Sequence, residues 1–227
     1  MIEKFLSELK KLAEDKNINT SVFLLHKINS AKKNHLQRNP GDESVMGEIM
    51  AGIKIKNLGE MKQELAKKAD QYNETKKLSE QKIAEMAADK IRNGSVVFAY
   101  EGSKNLVNGL MLAKAKGRKF SVHTAESGKI QPIAGSIKIK KFKDLMINEA
   151  LKDADIFLFE PEEITKDGKI FVSSQVSAIL DSAAKNKVAS YGIYNKFSRK
   201  EKTKENLQEA GAENISGIIT ESGILRR

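Results

Sequence analysis

Residues 94–127, GSVVFAYEGSKNLVNGLMLAKAKGRKFSVHTAES, read as a strand, a loop, a helix and a second strand, and this unit decides most of what the chain can fold into. Val96, Val97 and Phe98 form a short β-prone run behind Gly94, the pattern of a strand buried on both faces. Glu101, Gly102 and Ser103 make a polar turn, and Ser103 is placed to cap a helix. Leu106, Val107, Leu110 and Met111 then recur at helical spacing, with Lys104 and Asn108 off the stripe. Gly117 ends that helix, and Phe120, Val122 and Thr124 begin the next alternation. One short helix between two strands implies a parallel pair joined by a right-handed crossover.

Ligands of open α/β sheets sit outside the carboxyl ends of the strands. Here those ends carry Tyr100-Glu101-Gly102-Ser103 and Ala125-Glu126-Ser127-Gly128. The N–H groups at the start of the helix favour an anion such as phosphate. The plainer reading is a tight turn and a cap. Further along, Asp144 and Glu160 also fall at or just after predicted strands, so a parallel sheet gathers Glu101, Glu126, Asp144 and Glu160 on one rim. Acidic side chains there are suited to acid, base or hydroxyl-accepting roles.

The first ninety-odd residues carry helical periodicity only. Ile2, Phe5, Leu6, Leu9, Leu12 and Ala13 form one stripe, and Val22, Leu25, Ile28 and Ala31 a second after Thr20 or Ser21. Pro40-Gly41 punctuates a connector, and Val45, Met46, Ile49, Met50 and Ile53 follow. A break near Asn57 to Gly59 precedes Leu58, Met61, Leu65, Ala69 and Tyr72, and Ser79 is read as the cap of a last helix carrying Ile83, Met86, Ala87 and Ile91. Beyond the central unit, Ser136 to Phe142 reads as a half-polar edge strand, Lys143 to Asp153 as a helix with Leu145, Met146, Ala150 and Leu151 inward, and Ile156 to Phe159 as a strand. Residues 162–173 read as a turn containing Asp167-Gly168 and then a short strand, KIFVS, Gln175 to Lys185 as a helix and Val188 to Ile193 as a strand. The run from Asn195 to Gly211 reads as surface helix or loop, most mobile over 195–206, and Ile215 to Ile219 as a last apolar segment. The expected fold class is α/β: a helical domain over 1–93 and a doubly wound, mostly parallel Rossmann-like sheet over 94–227.

Several function classes fall away. Cysteine is absent, which removes disulfides, thiolate metal sites and a cysteine nucleophile. His26, His35 and His123 are not at metal-ligand spacing, and no phosphate-loop, dinucleotide or nucleophile-elbow motif occurs, so neither metal nor cofactor is expected. No run approaches eighteen apolar residues and MIEKFLSELKK lacks the core of a signal peptide, so a cytoplasmic protein is expected. The net charge of +10 raises nucleic acid as a partner. It is spread evenly, +4 over 1–93 and +6 over 94–227, and only six of the forty cations are arginine, so a solvated lysine surface explains it better.

The stretch IRNGSVVFAYEGSKNLVNGLMLAKAKGRKFSVHTAESG resembles the central part of the initiation factor 2B alpha/beta/delta-like family, which also holds ribose 1,5-bisphosphate isomerase and methylthioribose 1-phosphate isomerase. Ala154-Asp155-Ile156 to Glu160, Lys166-Asp167-Gly168-Lys169, SSQVSAILDSAAKNKVASYGI and NISGIITESGI are similar to family segments in the same order. The resemblance implies a phosphate-bearing ligand between a helical and a wound domain, homodimers formed through the C-terminal domain, and a translation-factor partner. In the family's enzymes a cysteine after the first strand and an aspartate after the third move a proton between adjacent carbons of an opened sugar phosphate.

This chain departs from that pattern. Glu101 stands at the cysteine position, while Asp144 keeps the aspartate position. The family's E-S-R-P is Glu126-Ser127-Gly128-Lys129, which lacks an arginine suited to phosphate. Phe159-Glu160-Pro161 replaces G-A-D, and Ser173-Ser174-Gln175-Val176-Ser177 replaces N-K-x-G-T. The span from Glu126 to Asp144 is too short for the usual helix between the second and third strands, and the bared sheet face is free to meet another subunit. Three readings stay open. One is a non-catalytic member binding a nucleotide, sugar phosphate or protein through Gly102, Ser103, Glu126, Ser127 and Glu160. Another is an isomerase in which Glu101 and Asp144 are catalytic, a raised carboxylate pKa replacing the thiol. The last is a basic RNA-binding module.

Overall fold

The computed structural model describes residues 2–51, 53, 57–128, 130, 137–165, 167–198 and 207–225. The chain divides into two compact units, Met1–Lys77 and Leu78–Arg227.

The first unit is helical: α1 (Ile2–Glu14), α2 (Ser21–Arg38), α3 (Glu43–Met50) and the first part of α4 (Leu58–Lys90). Thr20 caps α2, its hydroxyl accepting from the Phe23 N–H at 3.2 Å. Pro40–Asp42 forms a single 3₁₀ turn, where Pro-Gly is the punctuation. The core joins Phe5, Leu6 and Leu9 of α1, Leu24 and Ile28 of α2, Met46 of α3, and Met61, Leu65 and Ala69 of α4. The inward stripe of α2 is therefore Leu24, Ile28 and Ala31, whereas the expected Val22 is 68 % exposed. At 100° per residue Val22 lies across the helix from Leu24.

Burial raises the Tyr72 phenol to about 12, with Asp42, Glu3 and Glu48 adding to it. The folded state thus holds that proton above the phenol's ordinary value of 10.0. Its contribution to stability is intact below pH 10 and is lost as the pH rises through about 12. Denaturant unfolding between pH 9.5 and 11.5 is expected to show a fall in stability that is reduced in Tyr72→Phe.

The helix α4 runs unbroken to Lys90, so Ser79 is not a cap. No glycine or proline interrupts 73–79, and Thr75 donates back to the Gln71 carbonyl at 2.7 Å, which a helix tolerates. Ser79 is buried and donates to Asn195 Oδ1 at 3.3 Å.

In the second unit, β1 (Val96–Ala99), α5 (Lys104–Ala115) and β2 (Ser121–Ala125) form the expected strand–helix–strand unit. They are followed by β3 (Lys138–Phe142), α6 (Ile147–Lys152), β4 (Ile156–Phe159), β5 (Glu163–Ile164), β6 (Ile170–Ser173), α7 (Ser174–Lys185), β7 (Ala189–Ile193), β8 (Leu207–Glu209), β9 (Gly217–Thr220) and β10 (Gly223–Leu225). The main sheet has the order β10-β9-β7-β4-β1-β2-β3, parallel but for β10. The fold is α/β and doubly wound. Ile83, Ala87, Leu106 and Leu110 from α4 and α5 pack on Val97, Ala99 and Leu158 on one face. Leu151, Val176, Ile179 and Leu180 from α6 and α7 pack on Phe98, Phe157 and Phe159 on the other. Adjacent residues of one strand thus serve opposite layers. Gly109 lets α5 approach α4 closely, since a Cβ there would stand 2.8 Å from that of Ala87. Gly117, at φ +81, ends the turn after α5 as its position predicted.

Three strands escape the sequence reading. β5 and β8 pair with the expected strand β6 in a separate antiparallel sheet, where a turn and a surface helix or loop were expected, and β10 folds back on β9. β3 is the edge strand its half-polar pattern implied. Among the described residues between β2 and β3 no helix occurs; Ile133 and Ser136, expected at or near the start of that strand, lie outside the described residues, as do Lys129, Lys166 and 199–206 of the loop expected to be mobile. The expected helix from Lys143 is a 3₁₀ turn over Asp144–Met146 leading into α6. That turn directs Leu145 and Met146 outward, 99 % and 46 % exposed, instead of into the core.

Candidate functional site

The carboxyl ends of β4, β1, β2 and β3 lie side by side in that order, so their following residues share one rim: Glu160, Glu101, Glu126 and Asp144. Strand spacing of about 4.8 Å separates the backbone of Glu101 from that of Asp144 by roughly 10 Å. The order reverses between β1 and β4, the crevice where open α/β sheets bind ligands.

Three side chains are joined along the rim, at the ends of β1, β2 and β3. Asp144 Oδ1 accepts from the Ser127 hydroxyl at 2.9 Å and from the Ser127 backbone N–H at 3.2 Å. The Tyr100 hydroxyl lies 3.3 Å from Ser127 Oγ. One oxygen of the carboxylate thus accepts twice from Ser127, which fixes the orientation of the group. The turn that delivers Ser127 is fixed by backbone bonds, Glu126 N–H to the Phe142 carbonyl at 2.8 Å and Gly128 N–H to Ala125 at 3.0 Å. Gly128 is required by close approach: a Cβ would stand 2.4 Å from the Tyr100 carbonyl and 2.7 Å from Thr124 Oγ1.

Glu101, Gly102 and Ser103 are half-buried beside this group. Ser103 caps α5, its hydroxyl accepting from the Leu106 N–H at 3.2 Å, as expected. The first turn of α5 therefore brings its N–H dipoles to the rim. Glu126 is exposed, and Glu160 is half-buried after β4. Among the described residues no group of three His, Cys, Asp or Glu is arranged to hold a metal. Two cations near the rim are paired, Lys104 with Glu80 at 2.8 Å and Lys196 with Glu221 at 3.7 Å, and Lys143, just before Asp144, is exposed. The carboxyl of Asp89, held below its ordinary range by hydrogen bonds from Lys116 and Arg118, belongs to the C-terminal ends of α4 and α5, away from this rim.

Two buried asparagines were missed in the sequence. Asn195, just after β7, donates through Nδ2 to Asn105 Oδ1 at 3.3 Å, and its Oδ1 accepts from the Phe197 N–H at 3.0 Å and from Ser79. Asn105, Gly109 and Ala113 recur every four residues on the buried side of α5, a row that marks Asn105 as inward. His123 is buried in β2, its Nδ1 3.3 Å from the Ala150 carbonyl and its ring against Phe142, and takes no part in the rim.

The sequence model of the initiation factor 2 subunit family matches residues 4–132, more than half of the chain. No curated protein matches at a significant level. Solved structures do. The translation initiation factor eIF-2B of Pyrococcus horikoshii OT3 is 17% identical, with a TM-score of 0.73 over 98% of this chain and 89% of that one. The tetrameric eIF2B-beta2-delta2 complex of C. thermophilum contains a chain 15% identical, at 0.71 over 98% and 83%. The 5-methylthioribose 1-phosphate isomerase of P. horikoshii OT3 is 11% identical, at 0.76 over 98% and 78%. These likenesses establish the fold. Among the described residues no helix is long and apolar enough to cross a membrane.

Proposed function

This chain belongs to the initiation factor 2 subunit family, and from that premise we propose that it is a non-catalytic member that binds a phosphate-bearing small molecule, a sugar phosphate or nucleotide, at the rim of its parallel sheet. The observation that carries this reading is the Tyr100–Ser127–Asp144 group in a chain without any cysteine. Asp144 is oriented to accept a sugar hydroxyl, and the N-terminus of α5 to receive the phosphate roughly two strands away. Gly102 and Ser103 shape that end; Glu126 and Glu160 complete an acceptor-rich border. The proton-transfer chemistry of the isomerases has no thiol to run on.

A second reading is kept by the likeness to the methylthioribose 1-phosphate isomerase fold. In it Glu101 takes the thiol's place as the proton-transfer group, with Asp144 opposite. The two readings separate in one experiment. Thermal melts with ribose 1,5-bisphosphate, methylthioribose 1-phosphate and purine nucleotides are expected to show a ligand-specific rise of several degrees. Ser127→Ala and Asp144→Asn are expected to abolish most of it, with no ketose formed in any incubation. Ketose product that disappears in Glu101→Gln and Asp144→Asn would establish the isomerase instead.

Protein partners are part of the proposal. The tetrameric complex among the similar structures supports assembly. Leu145 and Met146, exposed just past the edge strand, support a homodimer contact through the second unit. A translation factor is the further partner proposed, in the cytoplasm.

A further inference from the structure

The helical unit holds a cavity of about 360 Å³ between α1 and the end of α2, within the range of small-molecule sites. Its floor is aromatic, formed by Phe5 and His35. Phe5 is 1 % exposed, and its ring centroid lies 5.6 Å from that of His35. The imidazole is fixed in turn, with Nε2 2.6 Å from Asp42 Oδ2. Asn39 borders it, donating through Nδ2 to the His35 carbonyl at 3.1 Å.

The border of the cavity carries Lys4 and Arg38, one from each helix. Both are exposed, and neither has an ion-pair partner among the described residues, although other lysines of this unit do, Lys10 with Asp70 and Lys76 with Glu3. Two unpaired cations facing one concavity suit a dianion better than a monoanion. A guanidinium also matches the oxygens of a phosphate by its fork. Glu8, the one carboxylate of the lining, is an acceptor for hydroxyl or amino groups on the rest of the ligand.

We propose that this cavity is a second ligand site, separate from the sheet rim, that takes a phosphate monoester of a small, hydroxylated, ring-bearing molecule. The phosphate sits between Lys4 and Arg38, the ring lies toward Phe5 and His35, and a donor group of the ligand reaches Glu8. The site needs nothing from the second unit, so it holds whichever function the rim performs.

The imidazole gives a local readout, because the chain has three histidines and only His35 lines the cavity. The Cε1–H signal of His35 is followed in the full chain, assigned through His35→Gln, during titration with inorganic phosphate, ribose 5-phosphate, adenosine 5′-monophosphate and acetate. A saturable His35 shift is expected with the two esters, tightest with the nucleotide, and none with acetate. Arg38→Gln and Lys4→Gln are each expected to weaken it about tenfold, the loss of one charge-assisted contact, with unchanged melting temperatures. The shift is expected to persist in Ser127→Ala, which tests the rim alone. Absence of a His35 shift up to millimolar ester, a shift untouched by both cation variants, or equal response to acetate would each overturn the assignment.

Discussion

Gly128→Ala is expected to lower the stability of the second unit by at least about 3 kcal/mol, the upper range for an atom forced into a packed site, and to abolish ligand binding at the rim. The three atoms that the new Cβ would meet are the Tyr100 carbonyl at 2.4 Å, Thr124 Oγ1 at 2.7 Å and the Ala125 carbonyl at 2.9 Å. Two are backbone atoms of the ends of the central strands and have no rotamer to adopt. The turn over 126–128 must move instead. That movement separates Ser127 from Asp144 and Tyr100, so stability and binding fall together. Gly47 provides the contrast: it lies inside α3 with nothing within 4 Å of its Cβ position. Alanine there is expected to add stability of about 1 kcal/mol by helix propensity alone. Urea unfolding of both variants, with the rim ligand's thermal shift measured on each, checks the pair. An equal effect of the two substitutions would mean that Gly128 is not held in the close approach described.

The parts of this fold that were legible in the sequence are those whose pattern is local. Val96–Phe98 and Ile156–Phe159 announce buried strands, and the parallel pairing of β1 with β2 follows from the single short helix between them. The shared rim of Glu101, Glu126, Asp144 and Glu160 follows from parallel pairing as well, because every parallel strand delivers its next residue to the same side. The rest was decided by distant partners. Leu207–Glu209 has no alternation to mark it, and becomes a strand only because β6 offers it an edge. Ser79 looks like a helix cap, but 116 residues later the chain supplies Asn195 as a partner for its hydroxyl. Leu145 looks like core on a helical wheel, and a 3₁₀ turn of three residues is enough to rotate it into solvent. The Ser127–Asp144 bond joins two residues already suspected, yet the hydroxyl of Tyr100 is added to them only by the pleat of β1, which no motif records.

Asn195→Ala is expected to cost about 3 kcal/mol, since it removes three hydrogen bonds made by a buried side chain, at about 1 kcal/mol each. The side chain is 3 % exposed and makes three bonds, to Asn105, Phe197 and Ser79. The Phe197 N–H must find an acceptor, so the amide is oriented with Oδ1 toward it and Nδ2 toward the oxygen of Asn105. Asn195→Asp therefore separates hydrogen bonding from packing. The shape is kept and Oδ1 still accepts, but an ionised second oxygen would face Asn105 Oδ1, acceptor against acceptor in a buried place. A proton on that oxygen restores the donor. Burial and this contact both favour the protonated form in the folded state, so its pKa rises above the unfolded value. The variant's stability is then greatest below the ordinary aspartate range and falls as the pH rises through the raised folded value. The alanine variant has no such group and is expected to lack that added slope. Chemical unfolding of the wild-type chain and both variants from pH 4 to pH 8 measures it. A slope shared by Asn195→Ala and Asn195→Asp would show that the amide of Asn195 is not donating to Asn105, and would remove the tie between the end of β7 and the first turn of α5.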